Sequence, residues 1–292
     1  MRHTTTNRLP LARWAALGLF LVYVAVFPGS TLLVALDRVP AWGVWFGGTL
    51  LFLQGGAVLF WLIAEHGRRG ALTGLLIGVL AFAVEYSGET TGFPFGSYHY
   101  TDVLQPQILG VVPLAICFAW LMVVPAAWEI ARRLLPGRTG PALLATATLV
   151  LLLDLQIETV AALINGYWIW DGSGPYYGVP TANFIAWWVV GLVMGTLLVA
   201  LTQAWRPAQQ QASADTVPRG QSLPGLAIYL IARSIPILIY LLSTAMFVVI
   251  NLARGYLVAG LVGVLVLAGA AALIARGEIG VAARGALRRR FG

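Results

Sequence analysis

Four carboxylates sit in segments otherwise suited to lipid. Glu85 and Glu89 are four residues apart, and so are Asp154 and Glu158. On a helix that spacing stacks side chains on one face, one turn above the other. Acids held away from water and close to one another favour the neutral, protonated form for at least one of them. A proton donor beside an ionised carboxylate is the arrangement that general acid–base chemistry uses. Intramembrane acids are expensive unless paired or protonated, so they default to a functional reading. Two structural readings compete with it: Glu89 belongs to the following loop, and Asp154 is a buried hydrogen-bonding group between helices.

The segments that carry these acids follow from composition. The chain has 292 residues, of which 59% are hydrophobic and 10% charged, against about 25% charged in an ordinary soluble domain. Apolar runs of roughly 18 residues or more recur along its length, as membrane spans require. The fold class is therefore all-α, a polytopic transmembrane helix bundle. Eight spans are predicted, at about 13–36, 41–64, 70–87, 108–130, 141–164, 183–205, 224–250 and 256–275, with proline bends at Pro28 and Pro236. The first run lacks a small-residue cleavage site and is read as a span, not a leader. From a helical rise of about 1.5 Å per residue, Glu85 and Asp154 each lie about 20 Å from the inner ends of their spans. The two acidic pairs are thus expected at similar depth.

All 18 basic residues are arginine. With the N-terminus inside, fifteen fall on inward segments and two, Arg38 and Arg254, on outward loops. This places both termini in the cytoplasm. Arg233 lies within a span, either snorkelling inward or serving as a counter-ion. The net charge of +7 thus reports membrane orientation and headgroup contact, and nucleic acid is not expected as a partner. Three parts are expected: a six-span core over 1–205 with the acidic site, a cytoplasmic linker over 206–223, and a two-span hairpin with a basic tail over 224–292. No internal repeat points to a transporter of repeated halves.

Two outward loops, 88–107 and 165–182, contain no arginine but are rich in aromatic residues, glycine and proline. An interfacial aromatic belt accounts for some of this. The stretches "TGFPFGSY" and "GSGPYYGVP" additionally demand defined turns. His3, His66 and His99 are scattered, and the single Cys117 lies in an apolar run, so no metal site and no disulfide within the chain are expected. No phosphate-binding or dinucleotide motif is present, so no cofactor is expected.

Two stretches, "EYSGETTGFPFGSYHYTDVLQPQILGVVPLAICFAWLMV" from Glu85 and "DLQIETVAALINGYWIWDGSGPYYGVPTANFIAWW" from Asp154, resemble the integral-membrane carotenoid biosynthesis protein family of the carotenoid 1,2-hydratase or bisanhydrobacterioruberin hydratase type. "TGFPFGSYHYT" and "YYGVP" followed by "NF" carry the resemblance, which covers about 85–205. One departure is "IET" at Ile157–Thr159, where an acid followed by proline is expected. The resemblance implies water addition across the terminal C1=C2 bond of an acyclic carotenoid. The partners are then a lipophilic acyclic carotenoid, water and the bilayer of the cell membrane, and association with other carotenoid enzymes is expected.

On that reading, Asp154 donates the proton while Glu85 and Glu158 orient water and balance charge, with Glu89 as a fourth catalytic candidate. Tyr86, Tyr98, Tyr100, Trp168, Trp170, Tyr176 and Tyr177 line or cap the outer mouth, and Asn183 hydrogen-bonds water or the loop. A polyprenyl transferase using a magnesium-bound diphosphate, and a non-enzymatic carotenoid carrier or scaffold, remain as alternatives.

Overall fold

The computed structural model describes residues 11–202 and 223–273. Arg2, Arg8, nearly all of the 206–223 linker and the basic tail lie outside the described residues. Among these residues there are eight helices. They are α1 (Leu11–Ala35), α2 (Phe46–His66), α3 (Arg68–Thr91), α4 (Leu114–Leu134), α5 (Thr139–Glu158), α6 (Thr181–Thr202), α7 (Leu223–Ala253) and α8 (Leu257–Leu273). The first seven are long and apolar enough to cross a membrane. The described part of α8 has 17 residues, about 26 Å at the standard rise. The protein is a multi-pass membrane protein built as a helix bundle.

The tightest joints between helices are made at glycine. Gly67, at φ 59°, is the whole joint between α2 and α3. Only glycine enters that backbone region without a Cβ penalty. Gly70 then lets α3 pass close to α2, since a Cβ there would fall 2.0 Å from the Leu62 carbonyl oxygen. Gly92, at φ 76°, closes α3 by returning its N–H to the Gly88 carbonyl. This is the usual left-handed stop.

α4 is the central post of the bundle: 83% of its span is buried, against 22% for α1. Its Trp120, Met122, Val123, Val124, Ala126 and Ala127 are almost wholly enclosed. Arg13, Arg68, Arg69, Arg132, Arg133 and Arg138 lie toward one end of the bundle, Arg38 and Arg254 toward the other, as the arginine pattern predicts. The second of these ends is called the outer end below.

At the outer end the two long loops are not irregular. β1 (Tyr98–Tyr100) pairs antiparallel with β4 (Trp168–Trp170), setting Tyr98 opposite Trp170 and Tyr100 opposite Trp168. A second small pair, β2 (Gln107–Ile108) with β3 (Val112–Pro113), closes the turn before α4. Backbone bonds from Thr101 to the Tyr167 carbonyl and from Asp171 to the Ser97 carbonyl, both 3.0 Å, extend the first ladder. α5 does not stop cleanly at Glu158 but widens into a π-helical turn over Thr159–Ile164. Such insertions are rare and concentrate at functional sites.

Candidate active site

The β1–β4 ladder, which forms a lid over the site, is two-faced, because alternate residues of a strand point to opposite sides. Tyr98, Tyr100, Trp168 and Trp170 share the inner face. His99 and Ile169 share the outer one, where His99 Nδ1 lies 3.1 Å from Asp171 Oδ1. The inner rings interlock, with Tyr98 5.1 Å from Trp170 and Tyr100 6.1 Å from Trp168 between centroids.

The polar tips of these rings converge on two glutamates. Glu85, buried in α3, accepts from the Tyr98 and Tyr100 hydroxyls at Oε2, both at 2.7 Å. Its Oε1 accepts from Trp120 Nε1 of α4 at 2.9 Å. Glu158, at the end of α5, accepts at Oε2 from Trp170 Nε1 (3.0 Å) and Trp168 Nε1 (3.3 Å). Its Oε1 accepts from Asn183 Nδ2 at 2.9 Å. Burial pushes the Tyr98 and Tyr100 phenols well above their ordinary value, and the neighbouring Glu85 adds to the shift. Both therefore remain protonated donors at neutral pH.

The two donor sets differ in kind. Indole and amide N–H groups donate and cannot accept, whereas a phenol oxygen can do either. All three partners of Glu158 are N–H groups, so its pocket is matched to a carboxylate. Glu85 has two phenols on one oxygen, and either can accept a hydrogen bond from it when it is protonated, so its pocket suits both the acid and its conjugate base.

The remaining predicted acids stand outside this pair. Asn183 Nδ2 also donates to Asp154 Oδ2 at 3.1 Å, while Asp154 Oδ1 is buried without a hydrogen-bond partner. Asp154 lies one turn deeper than Glu158, about 6 Å along the helix. Glu89, one turn outward of Glu85 and half-buried, accepts the Tyr100 backbone N–H at 2.9 Å. It thereby ties the lid to the end of α3.

Glu85 and Glu158 line one cavity of about 480 Å³, together with Phe95, Tyr98, Tyr100, Trp168, Trp170, Asn183 and Trp187. The rest of its wall is mostly apolar. Asp154, Glu89, Tyr86, Tyr176 and Tyr177 do not line it. Tyr86 is exposed on α3 and packs on Phe82. Tyr176 donates to the Leu155 carbonyl at 2.6 Å, and the Tyr177 hydroxyl takes the Val258 N–H at 3.0 Å. These two tyrosines fasten the second loop to α5 and α8. Arg233 is turned to Tyr229, one helical turn away, at 3.2 Å, and is not a lining residue.

Three contributors were not visible in the sequence reading. Trp120, stacked on Trp187 at 4.2 Å, lies in an apolar run where nothing marks it. Gln54 of α2 lines the cavity and donates to Ser243 of α7 at 3.1 Å. Asn251 of α7 donates to the Gln156 carbonyl at 3.1 Å and accepts the Thr159 hydroxyl, just where α5 turns from α to π. The expected departure at Thr159 thus falls on the residue that opens the π turn. Among the described residues, no three His, Cys, Asp or Glu side chains converge as a metal site.

The family described as carotenoid biosynthesis protein matches residues 46–270, which include every hydrogen-bonded residue around Glu85 and Glu158. Bisanhydrobacterioruberin hydratase from Haloarcula japonica is 33% identical over 129 residues, which is 43% of this chain and 43% of the relative. The chain therefore aligns with less than half of that protein's length. No solved structure gives a significant match.

Proposed function

This chain belongs to the carotenoid biosynthesis protein family, and from that premise we propose that its cavity hydrates the terminal C1=C2 double bond of an acyclic carotenoid. The single observation that carries the reading is the pair of carboxylates, Glu85 and Glu158, facing one mostly apolar cavity beneath a lid of neutral donors. The similarity to a hydratase supports the same reaction class.

Glu85 is the general acid. It transfers its proton to C2, the π electrons of the double bond form the new C–H bond, and C1 becomes a tertiary cation. As negative charge appears on Glu85, the donors already aimed at it, from Tyr98, Tyr100 and Trp120, stabilise that charge without rearrangement. Trp168, Trp170 and Trp187 offer ring faces to the cation in a site shielded from bulk water. Glu158, in its carboxylate form the acceptor of three N–H groups, takes a proton from water as the water oxygen bonds to C1. The product is a tertiary alcohol, and the proton then returns from Glu158 to Glu85 through cavity water. The net change is the addition of one water molecule.

Asp154 has a supporting part in this scheme. It does not line the cavity, so the donor role expected for it passes to Glu85, and Asp154 holds Asn183 against Glu158. The membrane is the cytoplasmic one, with the lid on the outward side, as the arginine distribution predicts.

Expressing the full chain in a bacterium that accumulates an acyclic carotenoid tests the reading. The pigment is expected to gain the mass of one water per modified end. Unchanged pigment, with the protein present in the membrane, refutes the activity.

A further inference from the structure

The cavity wall is buried around the carboxylates and half-buried or exposed along α1 and the turn that follows it. Around the carboxylates Glu85, Phe95, Tyr98, Glu158 and Asn183 are all at or below 5% exposure. Among the lining residues only Ala25, Gly29, Leu33 and Trp42 are exposed. The first three recur every four residues, which places them on one face of α1. Trp42 belongs to the turn that leads from α1 to α2. The exposed part of the wall is thus confined to a single place, against the helix least enclosed by the others.

Its depth is informative. Gly29 lies six residues from the outer end of α1, Glu85 six residues from the end of α3, and Glu158 six residues before the π turn ends. At the helical rise each is about 9 Å below its helix end. Gly29 and the two acids therefore share one level, and Leu33 and Trp42 carry the opening on toward the outer end. An aqueous entrance alone would open only above the acids, not also beside them at Ala25 and Gly29.

The sequence at the opening suits this. Ala25 and Gly29 leave the face of α1 low, and a Cβ built on Gly29 meets nothing within 4 Å. Pro28 interrupts the helix, yet the Ser30 and Thr31 hydroxyls turn back onto the helix's own carbonyls. Ser30 Oγ reaches Val26 O at 2.9 Å and Thr31 Oγ1 reaches Phe27 O at 2.7 Å. Both hydroxyls are thus satisfied within the helix, as contact with lipid favours.

We propose that the cavity opens sideways into the bilayer at Gly29, and that one end of a long apolar chain is threaded through this opening while the remainder stays in lipid. The occupant's identity, an acyclic carotenoid, rests on the hydration reading; the opening does not. Gly29 then determines access, because any side chain there stands in the passage.

The test uses Gly29→Trp and, as a control on the same helix, Gly18→Trp. A Cβ at Gly18 also meets nothing within 4 Å, and Gly18 is not a lining residue. Full-length protein is expressed in the carotenoid-accumulating bacterium, and both the hydrated product and the pigment retained on purification are measured. Gly29→Trp is expected to lower both by about tenfold or more, the scale on which pocket occlusion discriminates, with Gly18→Trp at wild-type levels. If Gly29→Trp matches wild type in both readouts, the opening is refuted. If wild type retains pigment without hydrating it and Gly29→Trp loses that pigment, the hydration reading fails and the opening stands. A wild type that neither retains nor hydrates pigment overturns both.

Discussion

Replacing Glu85 separates chemistry from support. In Glu85→Gln the side-chain carbonyl can keep the Trp120 N–H, now 2.9 Å from Oε1. The new amide can donate to the phenol oxygens that lie 2.7 Å from Oε2, because a hydroxyl accepts as readily as it donates. No buried group is orphaned, so the stability change is expected within about 1 kcal/mol, the net value of an ordinary hydrogen bond. Hydration instead loses its acid, at a cost of about 10²–10⁴-fold in rate, or about 3–5 kcal/mol of barrier. Glu85→Leu is the complement. It leaves the Trp120 N–H and two phenols buried without their acceptor, at about 1–3 kcal/mol for each unsatisfied group. Even if the phenols partly satisfy each other, that is a large share of the roughly 5–15 kcal/mol that holds a domain folded. The assay is the temperature at which detergent-solubilised protein loses its monodisperse gel-filtration peak, measured beside hydrated pigment in cells. The expected pattern is Glu85→Gln folded and inactive, and Glu85→Leu poorly folded. Retention of a large part of wild-type product by Glu85→Gln, or normal stability in Glu85→Leu, refutes the assignment.

Three further outcomes follow from the same geometry. Asp154→Asn is expected to keep product formation within about tenfold of wild type, since it loses a supporting contact and not a general acid; a loss as deep as that of Glu85→Gln returns the donor role to Asp154. Gly88→Ala puts a Cβ 2.7 Å from Phe95 and 2.8 Å from the Tyr98 hydroxyl. It should displace that donor from Glu85 and lower hydration by about tenfold or more, as a lost hydrogen bond to a charged group implies. Gly78→Ala on the same helix, with nothing within 4 Å, should be neutral. Asn251→Leu leaves the Thr159 hydroxyl and the Gln156 carbonyl only each other as partners, at 3.1 Å, and is expected to lower thermal stability by about 1 kcal/mol and to reduce turnover by loosening the π turn beside Glu158.

The helices were legible because an apolar run long enough for a bilayer has few other uses. The acids were legible as exceptions to those runs. The spacing of four set each pair on one helical face and suggested two pairs facing each other at similar depth. What faces the cavity is one acid from each pair: the inner one of α3 and the outer one of α5, because these two share a depth. Glu89 is left to hold the Tyr100 backbone, and Asp154 to hold Asn183. The strands were the larger omission. Tyr98-His99-Tyr100 and Trp168-Ile169-Trp170 each alternate aromatic residues with period two, the signature of a strand with one buried face. An interfacial belt explains the same residue types and hides the period. Trp120 had no signal, since within a span nothing distinguishes an apolar residue turned to lipid from one turned to a partner; Gln54 and Asn251 are polar exceptions to their runs and were open to the same logic as the acids.

The short β pair also accounts for why the site is built from rings. A cationic residue could hold Glu85 or Glu158, but inside the bilayer it would bring a second charge to be desolvated and would fix the acid permanently as an anion. Phenols and indoles supply directed hydrogen bonds with no net charge, and their faces remain free for a carbocation. Two antiparallel three-residue strands are the least structure that points four such rings the same way. The strand next to α3 carries the phenols, which tolerate gain and loss of a proton by Glu85. The strand next to the π turn carries the indoles, which hold Glu158 as a base. On the proposed mechanism, the division of labour between acid and base follows from which strand lies over which helix.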